Sequence, residues 1–188
     1  MHELHHPCVP FVEPFYEQVI PGARIDLHGH LHHGHHKCFV VEFLSGPHHV
    51  FHMSFRFQHH EHNLVMNSSV NGVWQYEERV HNPIGHHDSS FNMSIHVHAT
   101  HFDVHVNNRC VATFRHRFPL ETIQALGVHG DVKIHKVHYH GFHFKTRWGA
   151  GGYDWGHGGY IGYGTAGYVA PQFQPHHHHH HHWRRHHC

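Results

Sequence analysis

The chain has 188 residues, enough for one domain with appendages, and its 13 Lys+Arg balance 13 Asp+Glu for a formal net charge of zero with histidine neutral. That balance excludes a standing basic footprint for nucleic acid, and no apolar run approaches the roughly 20 residues of a spanning helix, so membrane insertion is not expected. Histidine is the anomaly: there are 38 of them, and because an unperturbed imidazole titrates near pH ~6.5, acidification turns a neutral surface into a cationic one.

Residues 1–8 read as an N-terminal extension. They lack a basic stretch followed by a long apolar core, so no secretory signal is visible. Synthesis in the cytoplasm is expected, with an extracellular destination open through a non-classical route. The four cysteines, Cys8, Cys38, Cys110 and Cys188, stand far apart. This is neither a zinc-knuckle spacing nor a dense disulfide framework, and free thiols are expected.

From Phe11 to about Phe144 short apolar runs alternate with turn residues. Phe39–Phe43, Val50–Phe57 and Asn63–Asn67 come first, followed by Phe91–His98, Phe102–Val106, Val111–Phe114, Ile123–Val128 and Val132–His138. Several have period two: Phe91, Met93, Ile95 and Val97 share one face, and Asn92, Ser94, His96 and His98 the other, as half-buried antiparallel strands require. Regular strand spacing without helical periodicity makes residues 9–144 an all-β domain, an antiparallel two-sheet β-sandwich.

Composition shifts at Trp148. Residues 145–188 are dominated by Gly, Tyr and His and hold too few aliphatic side chains to offset ordering entropy, so a disordered low-complexity tail is expected. Its seven consecutive histidines, His176–His182, read either as a purification tag or as native sequence. The stretch Gly162–Gly167 fits G-x-G-x-x-G, but no strand leads into it and Pro171 blocks a following helix, so it is coincidence.

Three strand-like stretches carry polar residues on apolar elements. His52, Ser54 and Arg56 fall at i, i+2, i+4, hence on one strand face. Asn67 ends the next stretch, and Trp74, Glu77 and Arg79 follow. Sequential strands tend to be neighbours, so these seven side chains are expected to line one face. Together they offer polar groups in His52 and Arg56, whose planar fork can reach two oxygens, an amide in Asn67 and a flat apolar surface in Trp74. Glu77 between Arg56 and Arg79 is expected to hold the guanidinium forks in register.

This pattern resembles the galectin family, whose signature runs H-x-N-x-R, V-x-N and W-G-x-E-x-R. Here it reads His52-Met53-Ser54-Phe55-Arg56, Val65-Met66-Asn67 and Trp74-Gln75-Tyr76-Glu77-Glu78-Arg79. Ile20-Pro21-Gly22 and Val128-His129-Gly130-Asp131-Val132 agree as well, and the resemblance extends over residues 9 to 144. It implies a galectin-like jelly roll that binds β-galactoside glycans or glycoproteins, is not an enzyme and requires no cofactor. Ser54 stands where the family has Asn, removing an amide that helps grip the axial hydroxyl, so weaker or altered selectivity is expected. A glycosidase needs two carboxyls flanking the scissile bond, whereas Glu77 and Glu78 are adjacent and on a strand point to opposite faces.

The histidine groups, among them His28–His36, His59/His60/His62 and His86/His87, suit moderate surface binding of zinc, copper or nickel. His59, His60, His62, His96 and His105 are the candidate ligands, His96 falling near Asp103 or His105 in either register. The tail is similar to the Gly/Pro/Tyr-rich segment through which chimera-type galectins self-associate, with the order reversed. An alternative function follows: a structural or metal-binding self-assembling protein whose sandwich is a scaffold that has lost or altered sugar binding.

Overall fold

The computed structural model describes residues 2–15, 17–32, 34–58, 60–85 and 90–142; the expected tail at 145–188 lies outside them. Among the described residues thirteen strands run in chain order: β1 (His2–His5), β2 (Phe11–Pro14), β3 (Arg24–Leu31), β4 (Cys38–Ser45), β5 (His48–Arg56), β6 (Asn63–Val70), β7 (Val73–Trp74), β8 (Glu78–His81), β9 (Phe91–Val97), β10 (His101–Val106), β11 (Arg109–Arg115), β12 (Ala125–Gly130) and β13 (Val132–His140). They form two antiparallel sheets. The first has the order β1-β13-β3-β9-β10-β11, and the second β2-β12-β4-β5-β6-β7 with β8 also pairing β6.

The expected two-sheet sandwich is present, and the period-two reading of Phe91–Val97 holds: Phe91, Met93, Ile95 and Val97 are buried while Asn92 is exposed. Two segments add detail to the sequence reading. Residues 2–5, placed in an extension, form an edge strand along β13 with His2 opposite Tyr139. The run from Ile123 enters its strand only at Ala125, because Leu120–Thr122 forms a 3-10 turn that swings the chain between sheets.

Phenylalanine fills the space between the sheets. Phe51 stacks on Phe102 and Phe114 with ring centroids at 4.9 and 4.6 Å, and Phe39 stacks on Phe55 at 4.6 Å. These rings are almost wholly excluded from water, and each contributes about 1.5–3 kcal/mol over its exposed state. Because Phe51, Met53 and Phe55 turn inward, the alternation of β5 obliges His52, Ser54 and Arg56 to face outward. A two-residue Asn71-Gly72 turn, with φ of 49° and 81°, joins β6 to β7; both residues take the left-handed conformation that a tight hairpin demands. It returns Trp74 opposite Ser69.

Cys38 and Cys110 have free thiols. Cys8, in contrast to the expectation of free thiols throughout, is disulfide-bonded.

Candidate functional site

The outer face of the second sheet brings six of the seven expected residues into a single zone. β5 supplies His52, Ser54 and Arg56, and register with β6 sets His52 opposite Asn67. Trp74 is 48% exposed. Its ring lies 4.8 Å from that of His52, edge-on, and 5.0 Å from that of His49. A large indole left this open beside an imidazole is an apolar platform with polar groups at its margin.

At the other end of the zone Arg56 Nη1 donates to Glu61 Oε1 at 2.6 Å, and Arg79 Nη1 donates to the same oxygen at 2.9 Å. Arg56 Nε donates a long bond, 3.4 Å, to Ser54 Oγ. Glu77 bonds only the second arginine: Arg79 Nε and Nη2 donate to Glu77 Oε2 at 2.9 and 2.5 Å. The carboxylate between the two forks is therefore Glu61, not Glu77. The reason is geometric. The chain leaving β5 doubles back, with an isolated bridge between Gln58 and Glu61, and places an acid between neighbouring strands. Glu77 precedes β8, where Arg79 is close at hand. The hydrogen bonds that Arg79 donates to Glu77 hold its guanidinium above the ordinary arginine range, with Glu61 adding to the effect.

Asn67 is placed differently from what its expected role requires. It is 4% exposed, its Nδ2 donates to the Gln75 carbonyl at 3.0 Å, and its Oδ1 accepts from Ser68 N at 2.8 Å and Arg117 Nη1 at 3.1 Å. The amide closes the 67–75 loop that carries Trp74. Arg117, which also donates to Glu78 at 2.9 Å and lies 4.5 Å over the Phe114 ring, fastens that loop to the body of the sandwich.

Sequence reasoning missed the residue beneath the site. Glu42, on β4, is 2% exposed and faces His52 across the ladder. Its Oε2 accepts from His52 Nδ1 at 2.5 Å, while His49 Nε2 and His129 Nε2 stand 3.8 and 3.7 Å from its carboxylate oxygens. Burial pushes this carboxyl up, but the His52 hydrogen bond and the charges of the three imidazoles outweigh it and hold the group below its ordinary range. Burial also lowers His49 and His129, more than Glu42 raises them. An ionised carboxylate accepts only, so His52 keeps its proton on Nδ1 and leaves Nε2 as the acceptor of the neutral ring. The signal was present: an acid inside Phe39-Val40-Val41-Glu42-Phe43 is buried only if partnered.

The expected metal ligands are dispersed. His59 lies outside the described residues. His60 is in an exposed turn, and the His62 ring packs against Phe57 and His81 at 5.7 and 5.1 Å. His96 pairs with Asp103 in the ladder, and its ring stacks on that of His105 at 4.4 Å. Among the described residues, converging triplets of possible ligands are Asp26/His138/His140, His98/His101/Asp103 and Asp103/His105/Cys110. Of the four candidates among the described residues, only His105 belongs to one.

A family model described as galactoside-binding lectin matches residues 10–139, and the chain belongs to that family. It is 47% identical to the probable galaptin lec-8 of Caenorhabditis elegans over 93% of this chain and 95% of that protein. It is 35% identical to the probable galaptin lec-7 of the same organism over 79% of this chain and 82% of that one. Among solved structures, Caenorhabditis elegans galectin LEC-6 superposes with a TM-score of 0.67 at 25% identity, covering 73% of this chain and 94% of that one.

Proposed function

We propose that this chain binds β-galactosides without chemical turnover, on the outer face of the second sheet. The observation that carries the reading is the half-exposed Trp74 set edge-on to His52 at 4.8 Å. A galactose ring laid on the indole presents its apolar C–H face to it, while its axial hydroxyl meets His52 Nε2 and the guanidinium of Arg56. Glu61 preorganises Arg56 and Arg79, so neither fork has to be ordered when sugar arrives. The role carried over to Asn67 changes: with its amide spent on the loop, it positions Trp74. The adjacent acids Glu77 and Glu78 are each engaged elsewhere, Glu77 by Arg79 and Glu78 by Arg117, and so do not form the flanking pair that glycosidic chemistry needs.

Calorimetry with lactose at pH 7.5 tests this. Trp74→Ala removes stacking area worth about 1.5–3 kcal/mol, roughly ten- to hundredfold in affinity, and Arg56→Ala is expected to abolish measurable binding, both with the unfolding temperature near that of the parent. Parent-like binding by both variants would move the site elsewhere.

The reading includes a response to pH, carried by a surface rich in histidine, since an unperturbed imidazole gains its charge near pH ~6.5. Surface histidines add moderate affinity for zinc-class ions, and the tail is proposed to self-associate near neutral pH.

A further inference from the structure

The hairpin joining β9 to β10 carries His98-Ala99-Thr100-His101, closed by His98 N donating to the His101 carbonyl at 2.9 Å. Its histidine rings stack with centroids at 4.5 Å and an interplanar angle of 19°. Both direct Nε2 toward Asp103: His98 Nε2 is 3.2 Å from Oδ2, and His101 Nε2 is 3.6 Å from Oδ1. Ligands bound at about 2.0–2.1 Å around a tetrahedral zinc-class ion stand about 3.4 Å apart. The two observed separations bracket that spacing, and all three ligand atoms lie within 4.8 Å of one another.

We propose that His98, His101 and Asp103 form a binding site for a zinc-class divalent cation on the outer face of the first sheet. The site is independent of the galactoside reading and shares no residue with it. Two hydroxyls fix its ligands from outside. Thr100 Oγ1 bonds His101 Nδ1 at 2.9 Å, which leaves Nε2 for the ion, and Thr113 Oγ1 donates to Asp103 Oδ1 at 2.6 Å. Such outer partners set tautomer and ring orientation in metal sites. The Thr113 bond, with the nearby imidazoles, also holds the Asp103 carboxyl below its ordinary range. His98 is 46% exposed, His101 31% and Asp103 22%, so a water or an exogenous donor has room as fourth ligand.

The other triplets are poorer. At Asp26/His138/His140 a cation is already in place: Arg24 Nε sits 3.0 Å from Asp26 Oδ1, and Arg24 Nη2 3.0 Å from His140 Nε2. The set Asp103/His105/Cys110 shares the same carboxylate and adds a thiolate, so it leaves a different spectroscopic mark.

Diethylpyrocarbonate footprinting of the full chain at pH 7.5, read by peptide mass spectrometry at rising zinc, tests the site without interference from tail histidines, which report on separate peptides. His98 and His101 are expected to lose at least fivefold in modification rate with one shared midpoint. In Asp103→Asn that midpoint is expected to rise at least tenfold while tail protection is unchanged. If Asp103→Asn does not fold, His98→Gln, a change at an exposed position, carries the test through loss of zinc protection at His101. Continued reactivity of both histidines at saturating zinc, or an unmoved midpoint in the folded variant, overturns the proposal. A thiolate-to-cobalt absorption band after cobalt loading, lost in Cys110→Ser, also overturns it by assigning the ion to the neighbouring triplet.

Discussion

The two outer faces of the sandwich are both rich in histidine and both hold carboxylates, yet burial gives them opposite characters. On the second sheet Glu42 is 2% exposed and ringed by His49, His52 and His129; on the first, Asp103 has a side chain 22% exposed with His98 and His101 beside it. The buried carboxylate cannot shed its hydrogen bond to water, so it dictates which nitrogen of His52 carries the proton. The half-buried one keeps contact with solvent and can exchange imidazole for water at less cost. On the readings proposed above, one residue type serves as a fixed acceptor on one face and as exchangeable ligands on the other.

The sharpest way to break this contrast is to remove each carboxylate. Glu42→Leu strands the His52 Nδ1–H in a closed environment and is expected to cost about 1–3 kcal/mol, several degrees in unfolding temperature, and to weaken lactose binding about tenfold. Asp103→Ala, measured in chelator, is expected to cost less than about 1 kcal/mol, because its carboxylate is partly solvated. Equal effects at the two positions, read by thermal unfolding, would erase the distinction.

Acid is the second way. His49 and His129 are held below the ordinary imidazole value, chiefly by burial. The unfolded chain therefore takes up protons first, and the stability these two contribute is complete above about pH 6.5 and lost as pH falls through their folded values. Glu42 is held below the ordinary carboxylate value, so its contribution is present above about pH 4.3 and lost further down. His96, His135 and His138 on the first sheet are lowered by desolvation in the same direction, so the informative quantity is parent against variant. Between pH 7.5 and 5, His49→Gln/His129→Gln is expected to lose stability less steeply than the parent in urea unfolding; parallel profiles would contradict this.

Glu61→Gln tests preorganisation at the rim. Arg56 and Arg79 keep a hydrogen-bonding partner but lose its charge, so lactose affinity is expected to fall several-fold while stability is unchanged, the salt bridges being partly solvated. The smallest effect is expected from Ser54→Asn. A restored amide near Arg56 adds one polar contact, about 1 kcal/mol and several-fold in affinity, visible by calorimetry. An unchanged or weaker affinity would mean that the serine belongs to a differently tuned pocket.

Much of the fold was legible because strand alternation is a local property: Phe91, Met93, Ile95 and Val97 have one destination wherever the strand sits. The His52/Ser54/Arg56 face was legible for the same reason, and the Asn71-Gly72 turn, unread at first, carries an equally local signal for the hairpin that presents Trp74. The edge strand at His2–His5 was not legible, since four residues of mixed polarity become a strand only when β13 offers a free edge.

The sequence by itself determined the sandwich, the polar face of β5 and the family, all of which depend on spacing along the chain. Only the tertiary structure decided which acid serves which base. Glu61 rather than Glu77 came between the arginines because a loop doubled back, Asn67 was drawn into the Gln75 loop by contacts with that loop and with Arg117, and Glu42 became the anchor of His52 through the β4–β5 register. Hydrogen bonds and ion pairs depend on angstrom separations between residues far apart in sequence, and those separations exist only once the sheets have packed.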